Sequence, residues 1–278
     1  MTVRRLLRHR SLALGLALTG LLAMLALISL AWTPHPVYEV AVSARLQPPG
    51  AEHWLGTDHL GRDILSLIMV GAQNSILVGV IAVGLGLLVG VPLGLVAAGR
   101  GGLADEAVGR LVDVTFAFPT VLSAILITAL AQPGMANSII AIGIFNIAVF
   151  ARLARGAALQ IYGREFVRAA LALGRSRFDV AIRHVLPNMT SPLIVQATIQ
   201  FAVAILAEAA LSYLGLGTPP PRPSWGRMLL DAQTYMFVDP GQALWPGVAI
   251  ALAVLGLNLL GDGLRDALDP RLRTMRLG

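Results

Sequence analysis

The sequence predicts an all-α, polytopic membrane protein with six transmembrane helices. Three observations carry that prediction. Of 278 residues, 56% are hydrophobic and only 13% are charged, about half the charged fraction of an ordinary soluble domain. Six stretches approach the length of about 20 apolar residues that crosses about 30 Å of hydrocarbon. The basic residues between those stretches are sorted to one side. All 21 are Arg, and the chain has neither Lys nor Cys. The missing residues exclude a disulfide framework, a thiolate metal site, a P-loop lysine and a Schiff-base lysine. The net charge of +6 would suggest nucleic acid in a polar protein. In a chain with a mean hydropathy of +0.75, one-sided Arg placement at a membrane explains it, and no nucleic-acid partner is expected.

The six candidate spans are Ser11–Ala31, Ser75–Ala98, Val114–Ala131, Ala136–Ala151, Ser191–Leu214 and Leu244–Gly261. The first also reads as a secretory leader, with Arg4, Arg5, Arg8 and Arg10 ahead of it and Ser29-Leu30-Ala31 at its end. Its apolar stretch exceeds the roughly 7–15 residues of a leader core, so a retained helix is expected. The second span carries Pro92 and the third Pro119, tolerable where neighbouring groups re-satisfy the backbone. The fourth is the shortest. The fifth holds Glu208, the sole ionisable residue in any span. With the N-terminus inside, the internal segments 1–10, 99–113, 152–190 and 262–278 hold seventeen Arg, and the external ones four. Both termini are therefore expected on the cytoplasmic side of the membrane. Trp32, Trp54, Trp225 and Trp245 all fall toward the external side, Trp245 at the external end of the sixth span, where interfacial anchors sit. The expected organisation is 1–10 as a cytoplasmic N-terminus, 11–31 as the first span and 32–74 as an external segment. A core over 75–262 contains the internal loop 152–190, and 263–278 forms a cytoplasmic tail.

Little in the spans supports chemistry. None of the five His lies in one, so no nucleophile–base or carboxylate pair is available at depth. A proton-coupled carrier usually needs several intramembrane acids or bases, so Glu208 is expected to be structural or gating, paired with a partner chain or facing water. Gly86, Gly90 and Gly94 recur every four residues on one face of the second span, with Gly79 and Gly84 nearby. They form a surface for close helix packing, either static or sliding. The external run from His53 to Asp63 offers His53, His59, Asp58 and Asp63. It matches no standard metal signature, and a turn with Asp58 or Asp63 capping the next helix is expected.

The internal segment 152–190 is too polar to span and too patterned for a linker. Phe166, Val167, Ala170, Leu171 and Leu173 mark one side of a short helix. Gly174 ends it. Phe178, Ala181 and Ile182 mark a second short helix, and Pro187 stops that one. From the residues alone, this elbow either docks another protein, with the small Ala169 and Ala170 allowing close approach, or rests on lipid headgroups through its Arg residues.

The spacing of Ala169-Ala170, Gly174 and Leu186-Pro187 resembles the EAA-type cytoplasmic loop of ABC-importer permeases. Arg168 replaces the usual acidic residue and His184 the usual aliphatic one. Both departures, with Asn188, look like the dipeptide/oligopeptide/nickel branch. Three further stretches are similar to that branch. They are Leu55–Asp63, Leu211–Gly217 with Pro223-Ser224-Trp225-Gly226, and Asn258–Arg271. The resemblance covers residues 46–273 and fits a C-type permease subunit with the ABC type I importer permease fold. It implies a non-catalytic subunit that binds no cofactor, with ATP and Mg held by two partner ATP-binding subunits. It also implies a second, B-type permease subunit and an extracytoplasmic substrate-binding protein that delivers di- or oligopeptides. Nickel, glutathione or another small solute is the alternative cargo within the family. An ATP-independent carrier is the alternative outside it. By the resemblance, Glu165, Arg168, Ala169, Ala170, Gly174, Phe178, His184, Leu186, Pro187 and Asn188 would seat in an ATPase cleft.

Overall fold

The computed structural model describes residues 10–268. The arginines of segment 1–9 and the end of the tail, with Pro270 and Arg271, lie outside the described residues. Among those described, the chain is helical, with one isolated bridge between Thr57 and Asp63 and no strand. Five helices are long and apolar enough to cross a membrane: α1 Arg10–Ile28, α2 Ile64–Arg100, α5 Met135–Tyr162, α8 Thr190–Tyr213 and α10 Gly241–Leu268. A bent pair, α3 Gly102–Ala117 and α4 Thr120–Ala131, brings the candidate spans to six when it is taken as one broken span. The elbow α6 Glu165–Ala172 and α7 Arg177–Val180 joins α5 to α8, and α9 Trp225–Ala232 lies between α8 and α10.

Three helices outrun their expected spans, α10 by running on from Gly261 to Leu268. α2 begins at Ile64 rather than Ser75, because Asp63 caps it by accepting a hydrogen bond from Ser66 N at 2.8 Å. Its 37 residues rise about 55 Å, well beyond the hydrocarbon thickness. α5 continues eleven residues past Ala151. Arg152 and Arg155 end the hydropathy signal, yet Ala154, Ala158 and Ile161 carry the buried stripe onward. The internal segment therefore begins as a helix, and the external one ends at Asp63.

The third span departs most. The expected straight helix over Val114–Ala131 is bent by 88°. Phe118 is extended, at φ −106° and ψ 135°, as a residue preceding proline prefers, and Pro119 supplies no N–H to continue the ladder. Pro92 is accommodated instead by the π-helical turn Gly86–Gly90 just before it. A second π turn, Ala181–Val185, precedes Pro187. Local π geometry re-satisfies carbonyls that a proline cannot serve.

Packing builds outward from α2. α1 lies along α10, where a Cβ on Gly15 would stand 2.3 Å from Leu260 N and one on Gly263 2.6 Å from Leu12 Cα. One apolar cluster joins Val83, Val91 and Leu95 of α2 to Phe150, Ala154 and Ala158 of α5. The same cluster takes in Val167, Val180 and Val185 of the elbow. Trp225 is not an interfacial anchor. It is buried against Gly71, and its indole N–H donates to Ile68 O at 3.1 Å. Trp32 and Trp54 are exposed.

Candidate functional site

The elbow is built by ordinary local signals. Arg164 is extended ahead of α6, and Glu165 sits in its first turn, where the helix dipole favours an acid. Gly174 ends α6 at φ +84°. Gly174 N donates to Leu171 O at 3.0 Å and Arg175 N to Ala170 O at 3.2 Å, a Schellman-type closure. Ser176 then caps α7 by accepting from Asp179 N. Asp179 pairs with Arg175 at 2.8 Å and Arg183 at 2.7 Å. The Arg175 hydrogen bond, helped by the Arg183 charge, holds the Asp179 carboxyl below its ordinary range. That bracing is complete at neutral pH and is lost only as pH falls through the depressed value.

Burial divides the elbow into two faces, and the division differs from the expected one. Val167 and Ala170 face inward, and so do Val180 and Val185, which the sequence pattern had not singled out. Phe166 and Ile182 are exposed instead. So are Leu173 and Phe178, at 86% and 78%. Arg168, Ala169, Gly174, Pro187 and Asn188 share the open side, while His184 and Leu186 are half-buried. Asn188 donates to His184 O at 2.7 Å, and the His184 ring meets Phe166 edge-on, with centroids 6.5 Å apart. The outer face is thus an apolar knob among guanidinium groups, and exposed apolar clusters of this kind mark docking surfaces. Arg177 donates to Gly99 O and ties the elbow to the end of α2. That contact spans 78 residues of sequence and leaves no local signal.

The glycine stripe meets α5. A Cβ on Gly86 would stand 2.5 Å from Phe150 Cδ2, one on Gly90 2.4 Å from Ile147 O, and one on Gly94 2.5 Å from Ala151 O. Gly79 faces Phe201, whereas Gly84 has nothing within 4 Å. The stripe therefore sets the α2–α5 distance in the cluster that carries the elbow.

Glu208 does not face water, and its Oε1 is partnered within this chain while its Oε2 is buried with no hydrogen-bond partner. It is 1% exposed. Ser212 Oγ donates to its Oε1 at 2.7 Å and Asn74 Nδ2 at 3.2 Å, and Asn74 also donates to Thr218 Oγ1 at 2.8 Å. The carboxyl thereby fastens α8 to α2 and to the loop after α8. Replacing it by Leu strands those donors, a loss of about 2 kcal/mol. Glu208→Leu is expected to melt well below wild type in detergent, and Glu208→Gln, which keeps an acceptor, close to it. Equal melting of the Leu variant would remove the structural role. A second buried polar pair, Gln200 Nε2 donating to Asn146 Oδ1 at 2.7 Å, joins α8 to α5 and was not legible from local pattern.

The chain matches the family described as "Binding-protein-dependent transport system inner membrane component" over residues 90–274. It is 42% identical over 271 residues to the dipeptide transport system permease protein DppC of Alkalihalophilus pseudofirmus, covering 98% of this chain and 89% of that one. It is 44% identical over 226 residues to the glutathione transport system permease protein GsiD of Pectobacterium atrosepticum, covering 81% and 75%. Its fold is similar to a chain of the inward-facing MetNI methionine ABC transporter, with a TM-score of 0.60 at 17% identity over 73% of this chain and 96% of that one. The matched span takes in the elbow, the end of the glycine stripe and Glu208, and the chain belongs to this family of multi-pass, non-enzymatic membrane components of binding-protein-dependent transport systems.

Proposed function

We propose that the chain is the C-type permease subunit of an ATP-driven importer of di- or oligopeptides. The observation that carries this is the elbow. It is fixed to the core by Val167, Val180 and Val185, yet it presents Leu173 and Phe178 to a partner. Two ATP-binding subunits would hydrolyse ATP, since this chain has no Lys and no phosphate-binding loop. One of them would receive the elbow. A B-type permease subunit would complete the pathway, and an extracytoplasmic binding protein would deliver cargo. The Arg distribution supports both termini on the cytoplasmic side. Closure of the ATPases would push the elbow and reorient the spans as rigid bodies from inside-open to outside-open.

The resemblance to a dipeptide permease over nearly the whole chain supports peptide cargo. The similarity to a glutathione permease supports glutathione, itself a short peptide, as the second reading. Reconstitution of the full complex in liposomes tests the proposal. Labelled dipeptide is expected to accumulate only with ATP and binding protein together. Accumulation driven by this chain alone, without ATP, would replace the importer with a carrier.

A further inference from the structure

At the end of α2 remote from the elbow, two imidazoles from separated stretches converge on one carboxylate oxygen. His53 Nδ1 stands 3.0 Å from Asp63 Oδ1, and His35 Nδ1 stands 3.6 Å from the same atom. The two imidazole rings lie 4.3 Å apart, tilted by 39°. One ligand atom from each residue falls within 4.8 Å of the other two. We infer that His35, His53 and Asp63 form a site for a divalent transition cation of the zinc class.

Several features support a ligand here over simple hydrogen bonding. Asp63 is held rigid, because its other oxygen, Oδ2, accepts from Ser66 N and Ser66 Oγ, each at 2.8 Å. That leaves Oδ1, on a buried carboxylate, as the oxygen facing the two imidazoles. His35 Nδ1 is buried without a hydrogen-bond partner, and 3.6 Å is beyond hydrogen-bond reach. A group placed between it and Oδ1 would satisfy the His35 nitrogen, the one atom of the three left unpartnered, since His53 Nδ1 and Oδ1 lie within hydrogen-bond distance of each other. Two imidazoles and a carboxylate are a ligand set that zinc accepts, with a fourth position open to water. Tetrahedral ligands about 2.1 Å from the ion stand about 3.4 Å apart, close to the two distances to Oδ1. The side chains of His35 and His53 are 32% and 11% exposed, so a cation can reach the site. The loop is also braced, since His35 N donates to Ser66 Oγ at 3.1 Å and Thr33 Oγ1 donates to His35 O at 2.9 Å. His59, a neighbour in sequence, stacks on Tyr235 instead and is not part of the set. A bound ion would clamp the segment after α1 to the first turn of α2.

The test uses the full-length chain, purified in detergent and stripped with a chelator. Zn2+ binding is measured by calorimetry and Co2+ by its visible absorption, since tetrahedral Co2+ absorbs far more strongly than octahedral. One equivalent of Zn2+ is expected to bind, with tetrahedral-type Co2+ bands. His35→Ala and His53→Ala are each expected to weaken binding by about tenfold or more and to abolish those bands, and His59→Ala to leave both unchanged. His35→Ala keeps both backbone hydrogen bonds of that residue, so it decides the matter if His53→Ala misfolds. Absence of stoichiometric binding to the wild type, or equal binding by His35→Ala, would overturn the assignment.

Discussion

Replacing Gly174 by Val is expected to leave the helices and expression largely intact while uncoupling ATP hydrolysis from uptake. The fold opposes the new side chain only through the backbone. At φ +84° a non-glycine residue costs about 1–2 kcal/mol, and a β-branched one lies at the upper end. Sterically the fold does not object, for a Cβ at this position has nothing within 4 Å. What objects is whatever seats on the exposed face beside Leu173 and Phe178. A docking loss of about 1.4 kcal/mol weakens engagement tenfold. Gly174→Asn separates the two contributions, because Asn tolerates the left-handed conformation yet fills the same space. Both variants are expected to lose uptake in proteoliposomes of the full complex while ATP hydrolysis persists. If Asn restores transport and Val does not, the backbone turn matters and the contact does not. Normal uptake by both, at normal expression, would remove the elbow from the coupling path.

The second large effect is expected at Gly94. A Cβ there would lie 2.5 Å from Ala151 O, 2.7 Å from Ala154 Cβ and 2.7 Å from Arg155 N. Two of these are backbone atoms, so no rotamer change in α5 relieves the clash. Gly94→Leu must push α2 away from α5 and open the cluster that seats Val167, Val180 and Val185. Overpacking of this kind costs about 1–3 kcal/mol or more. Thermal unfolding in detergent is expected to show a large drop, accompanied by weaker capture of the ATP-binding subunits. Gly84→Ala is the matched control. It lies on the same helix with nothing within 4 Å, and it is expected to be neutral or to stabilise by about 0.5–1 kcal/mol. Unchanged melting of Gly94→Leu would mean that α2 and α5 part easily, which favours the sliding seam over static packing.

Hydropathy located the helices well where the bilayer alone governs the residues. α1 and α8 begin and end within three residues of their expected spans. It failed where a helix leaves the lipid and packs on protein. Arg152 looks like a boundary in sequence, but the small residues Ala154 and Ala158 keep α5 helical against α2. It also failed at Pro119, because a proline inside an apolar run reads the same whether the helix bends slightly or breaks. In the elbow, the turn residues Gly174 and Pro187 were legible because each acts locally, whereas the Ser176 cap was not singled out. The inward face was not, since Phe166 and Val167 are adjacent and equally apolar, and tertiary packing alone decides which one is buried. Glu208 and His35 show the same limit. Their partners Asn74 and Asp63 lie 134 and 28 residues away, and no periodicity marks a meeting over such distances.

The length of α2 has a mechanical consequence. One uninterrupted shaft begins at the Asp63 cap and ends where Gly99 accepts the Arg177 guanidinium. A tug on that guanidinium is felt at the opposite mouth of the protein through the shaft itself, with no relay of side chains between. The lone soft joint is the widened turn at Gly86–Gly90. Stiffening that joint would decide whether the two mouths move together or take turns.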